Sequence, residues 1–195
     1  MTKNNDKTET LEQYDFPWSE DEYIFANKSE YAEAIGDFLI SFSNLESALN
    51  LLVVEMVNDR SHDLGYKVIK SLGYANKINL ARDLYLPTIH HIPNNKIRER
   101  RKNEFEIILK KLNQLGESRN KIAHANWVTL DKNGYVRTKI KSDETGTVQF
   151  IRIKITSSIM KKWSGQCDQN ASKVYKFKEK VLSSMRISVP QVVNI

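Results

Sequence analysis

From about Ser29 the apolar positions Tyr31, Ile35, Phe38, Leu39, Phe42, Leu45, Leu49, Leu52, Val53 and Met56 recur at steps of three and four residues. That period predicts a long α-helix with one buried stripe. Residues 61–86 predict two shorter helices broken near Gly73, with Ile78, Ala81, Leu84 and Tyr85 inward. Pro87 and Pro93 then punctuate a connector that carries His90 and His91. A second long helical pattern starts at about Asn95, a side chain suited to an N-cap, and runs through Ile97, Phe105, Ile108, Leu109, Leu112 and Leu115. Gly116 leaves two readings open: a kinked helix, or a divided one in which Ser118 caps a new short helix over residues 119–124.

Beyond this segment the period shortens. Residues 127–130, 135–140 and 147–155 are β-rich runs separated by turn residues at Asn133-Gly134 and from Asp143 to Gly146. They predict a three-stranded antiparallel meander. In the last run Val148 and Phe150 share one parity while Ile151, Ile153 and Ile155 share the other, which requires a bulge near Phe150 or burial on both faces. A final amphipathic helix is expected from Thr156 or Ser157 to about residue 186, with Trp163, Val174, Phe177, Val181 and Leu182 inward. The resulting fold class is mainly α, a helical bundle with a small three-stranded antiparallel β-meander and a C-terminal helix. One domain over 19–195 accounts for it, made of a helical core (29–128), the meander (127–155) and the last helix (156–186). Residues 1–18 lack sustained periodicity and read as a flexible arm, disordered over 1–12, with Tyr14, Phe16 and Trp18 around Pro17 available to fold back; 187–195 reads as a tail.

The chain has 195 residues, 40% apolar and 28% charged, with 7 Gly and 4 Pro, which excludes collagen-like and wholly disordered classes. The strongest apolar run, residues 49–57, is interrupted by Asn50 and Glu55 and is shorter than the roughly 18 residues of a membrane span, so no membrane association is expected. The polar start lacks the basic and apolar regions of a signal peptide, which makes the cytoplasm the expected location. Cys167, the single cysteine, can close no intramolecular disulfide and reads as structural. Charge is divided unevenly: residues 1–95 hold 8 Lys/Arg against 15 Asp/Glu, and residues 96–195 hold 22 against 9. The basic half is therefore the expected site for a polyanion.

No P-loop, G-x-G-x-x-G, G-x-S-x-G or H-E-x-x-H occurs, which removes the common nucleotide-binding, hydrolase and zinc-protease signatures. Four histidines remain: His62, His90, His91 and His124. A metal at His90 and His91 would need further ligands from unrelated elements, so no metal site is expected. The carboxylate pairs Glu104/Glu106 and Asp21/Glu22 lie in charged helical stretches and read as solvated faces. The segment Arg119-Asn120-Lys121-Ile122-Ala123-His124 differs, because it places a histidine five residues after an arginine at the end of a basic helix.

This hexapeptide resembles the R-x(4–6)-H hallmark, often R-N-x-x-x-H, of the HEPN superfamily, helical proteins of prokaryotic immunity, toxin–antitoxin systems and RNA processing. The stretch Ser43-Asn44-Leu45-Glu46-Ser47-Ala48-Leu49-Asn50 is similar to the opening helix of many such proteins. The resemblance covers residues 29–128, with the meander and final helix as an accessory extension. It implies a HEPN-like bundle and a metal-independent endoribonuclease that needs no cofactor. It also implies a homodimer with two motifs facing each other across a two-fold cleft, and an antitoxin or a nucleotidyltransferase as further partner. Glu46 would approach the motif and pair with Arg119. Relatives silenced by nucleotidylation carry Tyr two residues after the His, where this chain has Asn126, which puts that control in doubt.

The residue chemistry agrees with that implication. Cleaving RNA without a metal requires a base for the ribose 2′-hydroxyl proton and a cation for the charge that develops on phosphorus. A neutral imidazole and a permanently charged guanidinium suit those roles, so His124 is the expected general base or acid and Arg119 the phosphate clamp. On a regular helix Arg119 and His124 would lie about 140° apart and about 7.5 Å along the axis, whereas Asn120 and His124, at i and i+4, share a face. Asn120 is therefore the expected positioning residue, and one copy of the motif makes an incomplete site. Arg98, Arg101, Lys102, Lys110 and Lys121 would hold RNA through phosphate contacts. The alternative is a catalytically inactive HEPN module that binds RNA or a protein partner.

Overall fold

The computed structural model describes residues 8–12, 21–57 and 62–188. The expected disorder of residues 1–7, the arm at Tyr14, Phe16 and Trp18, the inward placement of Leu182 and the tail beyond 188 lie outside the described residues or side chains. The elements in order are β1 (Thr8–Glu12), α1 (Asp21–Val57), α2 (Asp63–Lys70), α3 (Tyr74–His90), α4 (Asn95–His124), a single 3₁₀ turn (Trp127–Thr129), β2 (Tyr135–Ser142), β3 (Val148–Lys154) and α5 (Ser157–Ser188). The protein is thus mainly helical with a small antiparallel sheet and a C-terminal helix, as the hydrophobic pattern predicts. By internal packing it divides into two compact units, Met1–Ile40 with Glu117–Ser164 and Ser41–Gly116 with Gly165–Ile195.

The first unit holds the sheet, whose order is β1-β3-β2 with both pairs antiparallel. The three strands are not the expected ones. Residues 127–130 form the 3₁₀ turn, because local bonds satisfy their backbone: Asn126 N donates to Arg137 O at 2.8 Å, and the Thr129 amide and hydroxyl both donate to Asn126 O, at 2.9 and 2.7 Å. The third strand is β1, which lies within the segment expected to be disordered. Its Glu9 stands in register with Arg152 of β3 and pairs with that guanidinium at 3.4 Å, while Asp131 forms a second ion pair from the other neighbouring segment. Arg152 is buried, so two carboxylates offset the cost of removing its charge from water. Both faces of β3 are buried, through Phe150 and Arg152 on one side and Ile153 on the other. The register irregularity falls on the facing strand, between Arg137 and Lys139, where the Thr138 hydroxyl donates to Ile151 O at 3.2 Å. Both turns form where Asn133-Gly134 and Asp143–Gly146 place them: Asp131 Oδ1 and Asp143 Oδ1 each accept two backbone amides, and Gly134 and Gly146 take positive φ of 81° and 84°. The Thr145 hydroxyl and the turn amides hold the Asp143 carboxyl below the usual carboxylate range.

The second unit is helical and is built on aromatic and aliphatic stripes. Leu45, Leu49, Leu52 and Val53 of α1, Ile78 and Ala81 of α3, Leu109 and Leu112 of α4, and Val174 of α5 are all fully buried. Phe105 stacks on Phe177 at 5.1 Å and tilts against Tyr85 at 4.4 Å, a three-ring cluster joining α3, α4 and α5. Leu84 of α3 and Ile97 of α4, expected inward, are only partly covered or exposed. Residues 27–57 of α1 are long and apolar enough, by length and composition, to cross a membrane. Core helices share that property, and here Phe38, Leu45, Leu49 and Leu52 are fully buried in protein.

Three punctuation residues act otherwise than the sequence suggests. α3 passes through Pro87 to His90 instead of ending in a connector, because Tyr85 and Ile89 on either side are buried and their packing outweighs one missing backbone bond. The cap of α4 is Asn94, whose Oδ1 accepts the amides of Lys96 and Ile97 at 3.0 and 3.2 Å. Gly116 neither ends nor divides α4, which is continuous from Asn95 to His124. Its missing side chain instead admits the Tyr74 ring, which a Cβ would meet at 2.8 Å. Cys167 is fully buried, and burial pushes its thiol up to about 12, consistent with a structural role.

Candidate active site

The last turns of α4 belong to the first unit. Ser118 and Ile122 bury the inner side, and Trp127 Nε1 donates to Ile122 O at 3.1 Å, closing one of the carbonyls that a helix end leaves open. Tyr31 packs on the Trp127 ring at 6.1 Å. The backbone that carries His124 is therefore anchored from inside and capped from beyond its end.

On this anchored turn Arg119, Asn120, Ala123 and His124 are all exposed. Successive helical residues stand about 100° apart, so Arg119 and Ala123 form one row, Asn120 and His124 the next, and the four make a continuous strip about 140° wide. The buried pair Ser118 and Ile122 borders it on one side, and Glu117 and Lys121 on the other. Arg119 Nη1 donates to Asn120 Oδ1 at 3.3 Å, which turns the guanidinium across the strip toward the His124 row. The imidazole of His124 has no hydrogen-bond or ion-pair partner among the described residues. Ala123, in the Arg119 row and beside Asn120 and His124, leaves that part of the strip low and open to a bulky group.

The other expected residues are distributed differently. The Glu46 carboxylate, expected beside Arg119, is engaged by Lys77 Nζ at 2.7 Å within the second unit. Arg98 donates to Ile92 O at 3.4 Å and to Asn95 Oδ1 at 2.5 Å. Arg101 lies in a pocket beside Tyr85 and Phe177. By helical spacing Arg98, Arg101 and Lys102 fall in one sector of α4, while Lys110 and Lys121 fall on another side about 140° away. The basic residues do not make one face. Lys102 and Lys110 are exposed, and Lys121 is half-buried. His62 meets Glu55 at 3.5 Å, and His90 and His91 are exposed. Among the described residues no three His, Cys, Asp or Glu side chains gather as metal ligands.

Sequence reasoning did not find the pocket of the second unit, because its residues come from three helices and only its two adjacent arginines stand out in the chain. Compared with known proteins, the chain matches no protein-family model, no curated protein and no solved structure.

Proposed function

We propose that the protein is a HEPN-type, metal-independent endoribonuclease of prokaryotic defence or a toxin–antitoxin system, located in the cytoplasm and acting as a homodimer. The observation that carries this reading is the exposed strip at the end of α4, where Arg119, Asn120 and a His124 with no partner among the described residues lie on a backbone anchored by Ile122 and Trp127. Catalytic groups need such rigid support beneath freely presented side chains.

In this reading His124 accepts the proton of a ribose 2′-hydroxyl, and the 2′-oxygen attacks the adjacent phosphorus. Arg119 offsets the charge that develops on the non-bridging oxygens. The 5′-oxygen leaves with a proton from the His124 of the second copy, which gives a 2′,3′-cyclic phosphate and a 5′-hydroxyl. Asn120 holds the Arg119 guanidinium over the strip. Two copies supply what one lacks, since base and acid are then separate imidazoles.

The test is cleavage of RNA in EDTA by wild type and by a matched preparation of His124→Ala, with product ends mapped and dimer mass measured by light scattering. Cyclic-phosphate ends from wild type alone are the expected result. Failure of both proteins to cut, with RNA binding retained, would replace this reading with that of a binding module, and a monomer at micromolar concentration would remove the two-copy mechanism.

A further inference from the structure

Within the second unit, α3, α4 and α5 line a half-open cavity of about 440 Å³ bordered by Tyr85, Arg100, Arg101, Glu104, Phe177 and Lys180. Its size falls in the range of small-molecule sites, roughly 300–1,000 Å³. Three cations face one carboxylate there, and Glu104 is already ion-paired with Lys180. Although neighbouring helical residues stand about 100° apart, Arg100 and Arg101 both line this opening.

Two features mark the cavity as more than a gap between surface charges. Arg100 has no hydrogen bond or ion pair among the described residues, although Glu104 stands one turn away on the helix. The Tyr85 side chain is 3% exposed and its hydroxyl has no hydrogen-bond partner among the described residues. Tyr85 lines the cavity together with Arg101 and Glu104. Burial pushes its phenol up to about 12, so it stays a neutral donor under physiological conditions. With its ring packed in the protein and no partner on its hydroxyl among the described residues, Tyr85 can donate to an acceptor that enters the cavity.

We infer that this cavity binds the dianion of a phosphate monoester, with Arg100 and Arg101 on its oxygens and the Tyr85 hydroxyl donating from the floor. Guanidinium forks match phosphate oxygens in pairs, and a tetrahedral anion has enough acceptors to take a third donor from a different direction. A carboxylate carries one charge against the two of the phosphate monoester and holds its acceptor sites in one plane, so it meets two guanidinium groups and a third donor from another direction less well. The ester substituent occupies the remaining volume. Phe177 supplies an apolar wall beside the charged groups. This site is separate from the chemistry proposed for His124 and stands whether or not the chain cuts RNA.

Titration calorimetry of the full chain with methyl phosphate and with acetate tests the inference. Methyl phosphate should bind and acetate should bind at least about tenfold more weakly; Arg100→Gln should weaken methyl phosphate about tenfold, the loss of one charge-assisted bond. Tyr85→Phe, which keeps the ring packing, should weaken it by about threefold to tenfold. Glu104→Gln should tighten it, and this opposite sign separates a ligand site from general damage to the cavity. A 5′-phosphorylated deoxydinucleotide, which has no 2′-hydroxyl to be attacked, distinguishes sources: much tighter binding than methyl phosphate assigns the site to a nucleic-acid end, and equal binding assigns it to a free metabolite. No heat of binding with methyl phosphate at about 10 mM, equal binding of acetate, or an unchanged constant in Arg100→Gln would overturn the proposal.

Discussion

The two halves of α4 use the same kinds of side chain to opposite ends. Before Gly116 the helix is tied into the second unit on several sides: Phe105, Leu109 and Leu112 are fully buried, Glu106 accepts from Nε and Nη2 of Arg82 at 3.2 and 3.1 Å, and Arg98 donates to the loop carbonyl of Ile92. After Gly116 only Ser118 and Ile122 face inward, and Arg119, Asn120 and His124 bond to each other or to no described residue. A tally of charges treats both halves as one basic helix. Their partners separate a half that holds the fold together from an end that presents side chains outward.

The largest test of this contrast exchanges one residue from each half. On the proposed mechanism His124→Ala should lower RNA cleavage by about 10²–10⁴-fold, as loss of a general acid–base does. Its unfolding free energy should stay within about 0.5 kcal/mol of wild type, because an exposed, unpartnered side chain is removed. Phe105→Ala should do the reverse in kind: removing the ring stacked between Tyr85 and Phe177 should cost about 3–5 kcal/mol of stability, read by denaturant unfolding. If His124→Ala destabilises the protein as much as Phe105→Ala, the imidazole is part of the packing and the contrast fails.

A smaller effect is expected at the boundary itself. Gly116→Ala should gain about 1 kcal/mol of helix propensity but force a Cβ against the Tyr74 ring, for which overpacking costs about 1–3 kcal/mol. Tyr74 is held in place by Phe42 at 4.8 Å and by donation to Leu112 O at 3.2 Å, so the ring has little room to give and a net loss of about 1 kcal/mol follows. Gly165, inside α5 with open space around it, provides the control: Gly165→Ala should stabilise by about 0.5–1 kcal/mol. Thermal unfolding of the two variants should therefore shift in opposite directions.

The same residues explain which parts of the molecule were legible in the sequence. The stripes of α1 and α5 were, because a 3.6-residue period repeated over many turns is set by one buried face and needs no knowledge of what covers it. Gly116 was not, since its purpose is a ring brought in from α3, and a glycine in a helical pattern carries the same letter whether it breaks or packs. Nor was the third strand. Residues 127–130 have the better β composition, but non-local partners choose the strands of a sheet, and the match of Glu9 with buried Arg152 appears only once β3 is in place. At the candidate site the hexapeptide gave the residues and their helical spacing. It did not give the bond from Arg119 to Asn120, or the engagement of Glu46 by Lys77.

The smallest expected effect tests whether the first half of α4 is held by its core or by its charges. Arg82 and Glu106 make a two-nitrogen contact, the best geometry available to such a pair, yet their side chains are 35% and 40% exposed. Water and salt screen charges at that exposure, and pairs of this kind contribute about 0–1 kcal/mol. Arg82→Gln should therefore lower stability by less than about 1 kcal/mol, with the difference shrinking further in high salt and RNA cleavage unchanged. A loss comparable to that of Phe105→Ala would mean that the ion pair, and not the three-ring cluster, fixes α3 against α4. The two halves of the helix would then differ in where their charges are placed, and burial would no longer be what sets them apart.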